Sequence, residues 1–207
     1  MTRRRVSNPL ALAVLACLNE RPMHPYEVAS TLRERSKDES IKLNYGSLYS
    51  VIEGLCRHQL IEAKETVRQG NRPERTVFRM TEAGLVELGD WLGELLAVPA
   101  KEYTQFEAGL SLMPNLPPQA VVALLNRRCQ RLEAELAKAK SVRARADTEK
   151  LPRLFLIEGE YRTMQHEAEL AWVRRLAADI AGGAIEGIDQ WQSWFEASSA
   201  DEKAAES

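Results

Sequence analysis

Tyr45-Gly46-Ser47-Leu48-Tyr49-Ser50-Val51-Ile52-Glu53-Gly54-Leu55 is the stretch on which the reading of the fold turns. Leu48, Val51, Ile52, Leu55 and then Cys56 recur at the spacing that fills one side of a helix. The other side carries small and hydroxyl groups: Ser47, Tyr49, Ser50 and Gly54. A helix of this kind is anchored in a core while its outer face lies close against something polar.

Two helices are expected before it. Asn8 can accept from an orphan N–H as N-cap, and Pro9 suits the first helical position. Leu10 to Leu18 is almost wholly apolar, so this helix is buried on most sides; it stops at Arg21-Pro22. A second helix starts near Pro25, with Tyr26/Ala29 and Val28/Leu32 as same-face pairs. A charged loop, Ser36-Lys37-Asp38-Glu39-Ser40, leads to the third helix, Tyr45 to His58. Leu60 to Val67 and Arg75 to Met80 read as two strands joined by Arg68-Gln69-Gly70-Asn71-Arg72-Pro73, in which Gly70 and Asn71 tolerate positive φ. Thr81 caps a fourth helix that runs to about Ala97, and Pro99 closes the block. The order α-α-α-β-β-α is that of a winged helix-turn-helix.

The remainder is nearly all helical, which makes the chain mainly α. Glu102 to Met113 is an expected helix, broken by Pro114 and Pro117-Pro118. A long helix follows from Pro118 to about Asp147, with Leu125, Cys129, Leu132 and Leu136 as an a/d-like seam. Leu154 to Ile180 carries a second seam that includes Ile157, Tyr161 and Met164. The two helices, joined by Glu149-Lys150-Leu151-Pro152, make an antiparallel pair whose exposed seams are most simply buried by a second copy, a homodimer. Ile188 to Phe195 adds a short capping helix with Trp191 and Trp194. The expected organisation is a DNA-binding domain over residues 1–98, a helical dimerisation and effector domain over 99–196, and a disordered acidic tail over 197–207.

Charge follows the same division. Residues 1–82 hold 14 Lys and Arg against 10 Asp and Glu; the rest hold 14 against 20. A basic front and an acidic back fit a nucleic-acid module joined to a partner module. Arg3, Arg4 and Arg5 read as a basic arm, since the apolar run after them ends in Asn19-Glu20-Arg21-Pro22 without a small-residue cleavage site. No run approaches a membrane span of roughly 18–20 apolar residues. Cys17, Cys56 and Cys129 are odd in number and far apart, which suggests buried thiols in a reducing cytosol and a cytoplasmic protein. Cys129 could instead meet its dimer mate as a redox switch.

Enzymatic readings find little support. His24, His58 and His166 are isolated, and no His/Cys/carboxylate spacing suggests a metal site. No cofactor is expected.

The third helix is the expected recognition helix. Gly46, Ser47 and Ser50 let its first turn approach a phosphate or base edge, and its free N–H groups favour a phosphate. Tyr45 and Tyr49 can donate to phosphates, with Lys42 and Asn44 just before them; alternatively both tyrosines are half-buried core residues. Arg68, Arg72 and Arg75 bracket the turn and would project from one narrow ribbon into the minor groove or along the flanking phosphates; the alternative is a solvated hairpin. Arg57 and Lys64 add weaker candidates. Among aromatics outside this face, Trp91, Tyr103, Phe106, Phe155, Tyr161 and Trp172 either line a site for a flat apolar ligand or pack as ordinary core and dimer residues.

Four segments resemble the PadR family of bacterial transcription regulators: Met23-His24-Pro25-Tyr26-Glu27-Val28, Gly46-Ser47-Leu48-Tyr49, Gly54-Leu55 through Leu60-Ile61, and Arg75-Thr76-Val77-Phe78-Arg79-Met80-Thr81-Glu82-Ala83-Gly84. The resemblance covers residues 9–97, and the long helical second half resembles the subfamily with an extended C-terminal domain. Pro25 stands where members often have Gly, and Ser50 where they often have Pro. The resemblance implies a ligand-responsive homodimer, usually a repressor, released by a small aromatic effector. It implies that Tyr26, Ser47, Tyr49, Asn71 and Arg72 face double-stranded DNA. The expected function is a transcriptional regulator on a pseudo-palindromic operator; the alternative is a winged-helix adaptor that binds protein and no specific DNA.

Overall fold

The computed structural model describes residues 8–67 and 75–195. The chain divides into two compact units, Met1–Lys101 and Glu102–Ser207.

In the first unit, α1 (Pro9–Glu20) is the central helix. The Asn8 side chain accepts from the Leu10 N–H at 3.0 Å, and Leu10, Ala11, Val14 and Leu15 are fully buried. Around it lie α2 (Pro25–Glu34), α3 (Tyr45–Arg57) and α4 (Glu82–Ala97). The apolar side of α3 is buried as its spacing predicts: Leu48, Val51, Ile52 and Leu55 join the core with Val28 and Leu32 of α2 and Leu88 and Trp91 of α4. The strands β1 (Ile61–Val67) and β2 (Arg75–Met80) pair antiparallel, with Ile61 opposite Met80 and Val67 opposite Arg75 and an irregularity between Ala63 and Glu65. The fold class expected from sequence is the one observed.

Two details at the base of the ribbon were not expected. Met23 exchanges both backbone hydrogen bonds with Phe78, each at 3.0 Å, so the residues leading into α2 add a one-residue edge to the sheet. His24 then caps α2: its Nδ1 accepts from the Tyr26 N–H at 3.1 Å, while Glu27 Oε2 accepts from the His24 N–H at 2.9 Å. This is a capping box with an imidazole in the usual hydroxyl's place. Thr81 caps α4 by accepting from the Gly84 N–H at 3.1 Å, with its own hydroxyl directed to the carbonyls of Gln59 and Leu60.

In the second unit, α5 (Gln105–Leu112) begins three residues later than expected because Thr104 supplies its N-cap. A 3-10 turn (Met113–Asn115) leads to α6 (Pro118–Thr148), whose 31 residues span about 46 Å at the helical rise. After a second 3-10 turn (Arg153–Phe155), α7 (Ile157–Ala181) returns along it. A final helix, α8, occupies 188–195. One core joins them: Val121, Leu125, Cys129 and Leu132 of α6, Leu170, Val173, Ala177 and Ile180 of α7, and Ile188 and Trp191. The Trp191 indole donates to the Leu116 carbonyl at 2.8 Å and pins α8 beside the start of α6.

This packing corrects one expectation. Leu125, Cys129 and Leu132 are each less than a tenth exposed within a single subunit, and Leu136 is partly buried against the same core. Their apolar area is used between α6 and α7, not left for a second copy. The other three seam residues, Ile157, Tyr161 and Met164, are more than half exposed.

A candidate nucleic-acid interface

The first turn of α3 is held by Asn44, whose Oδ1 accepts from the Ser47 N–H at 2.7 Å. That oxygen is occupied by the cap; the amide NH2 remains the group Asn44 can offer outward. Ser50 turns back on its own helix and donates to the Gly46 carbonyl at 3.2 Å. A groove of about 480 Å³ is lined by Gly46, Ser47, Ser50, Val51, Gly54 and Arg57 of α3 together with Asn8 and His58. The small side chains keep it open: a Cβ on Gly54 would meet nothing within 4 Å. A positive side chain and a helix N-terminus along one trench suit an anionic backbone.

Three tyrosines of α2 and α3 are exposed. Tyr26, Tyr45 and Tyr49 are 59, 42 and 49 % exposed, so none is a core residue. Tyr26 and Tyr45 stack across the α2–α3 interface, with centroids 6.4 Å apart and planes inclined by 12°. Arg33 joins them: its guanidinium carbon lies 4.7 Å from the Tyr45 centroid, and its Nη1 donates to Tyr45 Oη at 2.7 Å. Lys42 is exposed on the approach to α3.

On the ribbon, Lys64 is exposed at the register irregularity, and Arg79 pairs with Glu62 directly opposite it. Arg75 is the first residue of β2, opposite Val67. Arg68, Asn71 and Arg72 lie outside the described residues, as do Arg3, Arg4 and Arg5.

The structure thus places Ser47 and Ser50 along the groove and stacks Tyr45 on Tyr26 at the α2–α3 interface, with Tyr49 exposed on α3. Arg33, Asn8 and His58 were not anticipated there. Arg33 had a signal, since it follows Tyr26 by seven residues and shares its helix face; its partner Tyr45 is fixed only by the packing of α2 on α3.

Electrostatics around the face are local. The His24 N–H and then Arg21 hold the Glu27 carboxyl below the usual range, so it stays ionised in the capping box. Burial pushes the thiols of Cys17 and Cys56 up, which keeps both protonated and poor nucleophiles. Among the described residues no group of three His, Cys, Asp or Glu side chains is placed to hold a metal, and no helix is long and apolar enough to cross a membrane.

The aromatic candidates separate. Trp91 is 4 % exposed inside the winged-helix core, so of its two readings the structure takes core packing and leaves no surface for a ligand. Phe106 and Trp172 meet edge to face at 6.2 Å, and the Arg128 guanidinium, paired with Glu169, lies 3.6 Å from the Phe106 centroid. Tyr161 precedes Trp172 on α7 by eleven residues, about three turns, and is exposed.

A three-helix unit with a two-stranded ribbon and an exposed, small-faced third helix defines the winged-helix class of DNA-binding proteins. Residues 14–90 match the model of the transcriptional regulator PadR-like family. Solved structures share the fold over most of the chain. Bacillus subtilis PadR in complex with operator DNA is 19 % identical, with a TM-score of 0.65 over 84 % of this chain and 99 % of that one. Bacillus subtilis PadR in complex with p-coumaric acid is 17 % identical, with a TM-score of 0.64 over 83 % and 98 %. The Vibrio cholerae virulence activator AphA is 16 % identical, with a TM-score of 0.63 over 84 % and 98 %. No curated protein matches the sequence.

Proposed function

We propose that this PadR-like regulator is a ligand-responsive repressor that binds a pseudo-palindromic DNA operator as a homodimer, with residues 1–98 as the DNA-binding domain and 99–196 as the dimerisation and effector domain. The observation that carries the reading is α3 itself, whose small side chains, Ser47 among them, line an open groove and whose exposed Tyr45 and Tyr49 stand free of the core, Tyr45 stacked on Tyr26. Exposed aromatics are costly to leave in water, and phenol hydroxyls at a helix N-terminus suit phosphate oxygens. Ser47, Tyr45, Tyr49, Lys42 and the amide of Asn44 make the helix contacts; Arg68, Asn71, Arg72 and Arg75 supply the ribbon's.

A dimer sets the mechanism. Two recognition helices must enter successive major grooves roughly 34–36 Å apart. The exposed side chains of Ile157, Tyr161 and Met164 are the apolar surface available for a second copy. A small aromatic effector that binds one dimer arrangement better than the other lowers DNA affinity by shifting the population. Phe106 and Trp172, already in contact, are the aromatic pair around which such a molecule would bind. The fold shared with a regulator bound to operator DNA and to p-coumaric acid supports both partners.

The test is a gel-shift titration of the full chain against the DNA upstream of its own coding sequence and against a random-sequence pool, at two salt concentrations with competitor. A discrete, competitor-resistant shift that weakens with salt is expected. No saturable binding to either DNA would turn the reading toward a protein-binding adaptor.

A further inference from the structure

Arg33 lies on the exposed face of α2, twelve residues before the first residue of the recognition helix, and its polar contact is to a tyrosine of that helix. Its Nη1 donates to Tyr45 Oη at 2.7 Å, and its guanidinium carbon lies 4.7 Å from the centre of the same ring. On α2, one helix face holds both Arg33 and Tyr26, and Tyr26 stacks on Tyr45. Tyr45 is therefore gripped from α2 twice, through its ring by Tyr26 and through its oxygen by Arg33. Among the described residues no carboxylate pairs with Arg33.

The chemistry of the phenol makes this grip directional. A phenol oxygen both donates and accepts. When a guanidinium, which cannot accept, donates to that oxygen, the phenol's own proton is left for an acceptor elsewhere. Tyr45 is 42 % exposed, so that acceptor comes from outside the protein. A phosphate oxygen or a base acceptor fits; a donor group does not. We infer that Arg33 is a positioning residue of the DNA face, which fixes the ring of Tyr45 against Tyr26 and makes its hydroxyl an outward hydrogen-bond donor.

The inference rests on the DNA reading proposed above, and one experiment separates the two. A labelled duplex is taken from a random-sequence pool by the wild-type full chain. Its affinity is then measured by fluorescence anisotropy for wild type, Arg33→Lys, Tyr45→Phe and the double variant. Lysine keeps the charge and the helix but loses the planar fork over the ring; phenylalanine keeps the ring stack and loses the hydroxyl. Each single variant is expected to bind about fivefold more weakly. In the Tyr45→Phe background, Arg33→Lys is expected to add less than about twofold, because its effect runs through the missing oxygen. Equal losses from Arg33→Lys in both backgrounds would mean that Arg33 touches DNA itself, and unchanged affinity in either single variant would mean that the grip is idle; each overturns the inference and leaves the DNA reading standing. Failure of the wild type to select or bind any duplex overturns both. Both side chains are exposed, so unchanged melting by circular dichroism is expected throughout.

Discussion

A Cβ on Gly84 would lie 2.1 Å from the carbonyl oxygen of Leu60 and 2.8 Å from Cγ of Met80. The first turn of α4 is thereby seated directly on the backbone that leads into the ribbon. The Thr81 hydroxyl reaches the same carbonyl, and the Gly84 N–H closes the cap.

Gly84→Ala should therefore be among the most damaging single changes in the winged helix, although alanine is the better helix former. Backbone must move to make room, at about 1–3 kcal/mol by analogy with overpacked sites. Chemical denaturation of the variant against wild type measures this; a loss below about 0.5 kcal/mol would show that the ribbon base yields easily.

The buried seam of α6 gives a pair of contrasting substitutions. Leu132→Glu places a carboxylate in the core between α6 and α7 and should unfold the second unit, which appears as lost helical circular dichroism. Tyr161→Glu changes an exposed residue and should keep the helicity while weakening self-association. Sedimentation distinguishes them; a folded dimer in both would place the contact between copies elsewhere.

Arg72 lies outside the described residues, in the basic sequence segment between β1 and β2. Arg72→Ala should weaken binding to operator and non-specific duplex alike and reduce the salt slope by about one unit or less. Anisotropy titrations at several salt concentrations measure that slope. An unchanged operator affinity would remove the wing from the mechanism.

Glu27 gives a pH dependence with a defined sign. Its carboxyl is depressed in the folded chain, chiefly by the His24 N–H. Its stabilising contribution is thus fully present above the ordinary glutamate value of 4.5 and is lost as pH falls below that through the depressed value. Glu27→Gln should cost less than about 1 kcal/mol at neutral pH, the scale of a solvent-exposed cap, and that difference should shrink in acid. Melting curves at pH 7 and below 4 test it; a constant difference would assign the effect to packing.

The sequence was most legible where one residue's chemistry suffices. Asn8 and Thr81 were read correctly as caps because a short side chain with an oxygen before an apolar periodic run has few other uses. The buried side of α3 was legible for the same reason of period. His24 was missed as a cap because imidazole accepts only through one unprotonated nitrogen, whose orientation no spacing reveals. The Leu125–Leu132 seam was seen correctly as an apolar stripe but assigned the wrong cover. Periodicity says that a face is buried, not by what, and a neighbouring helix of the same chain was as good a partner as a second copy. Trp91 was left between two readings for a similar reason, since a tryptophan suits a ligand pocket and a core equally well in composition; the structure takes the core.

The two hydrogen bonds between Met23 and Phe78 carry a mechanical consequence. They fasten the root of the β-ribbon to Met23, the residue that immediately precedes the His24 cap of α2. The ribbon's root and the aromatic pair therefore tilt together, as the jaw and handle of a single casting. Such a tool does not adjust its grip to the work. Under the proposed operator binding, a mismatch in shape would fall on the double helix, and sequences that bend cheaply would be favoured even at base pairs the protein never touches.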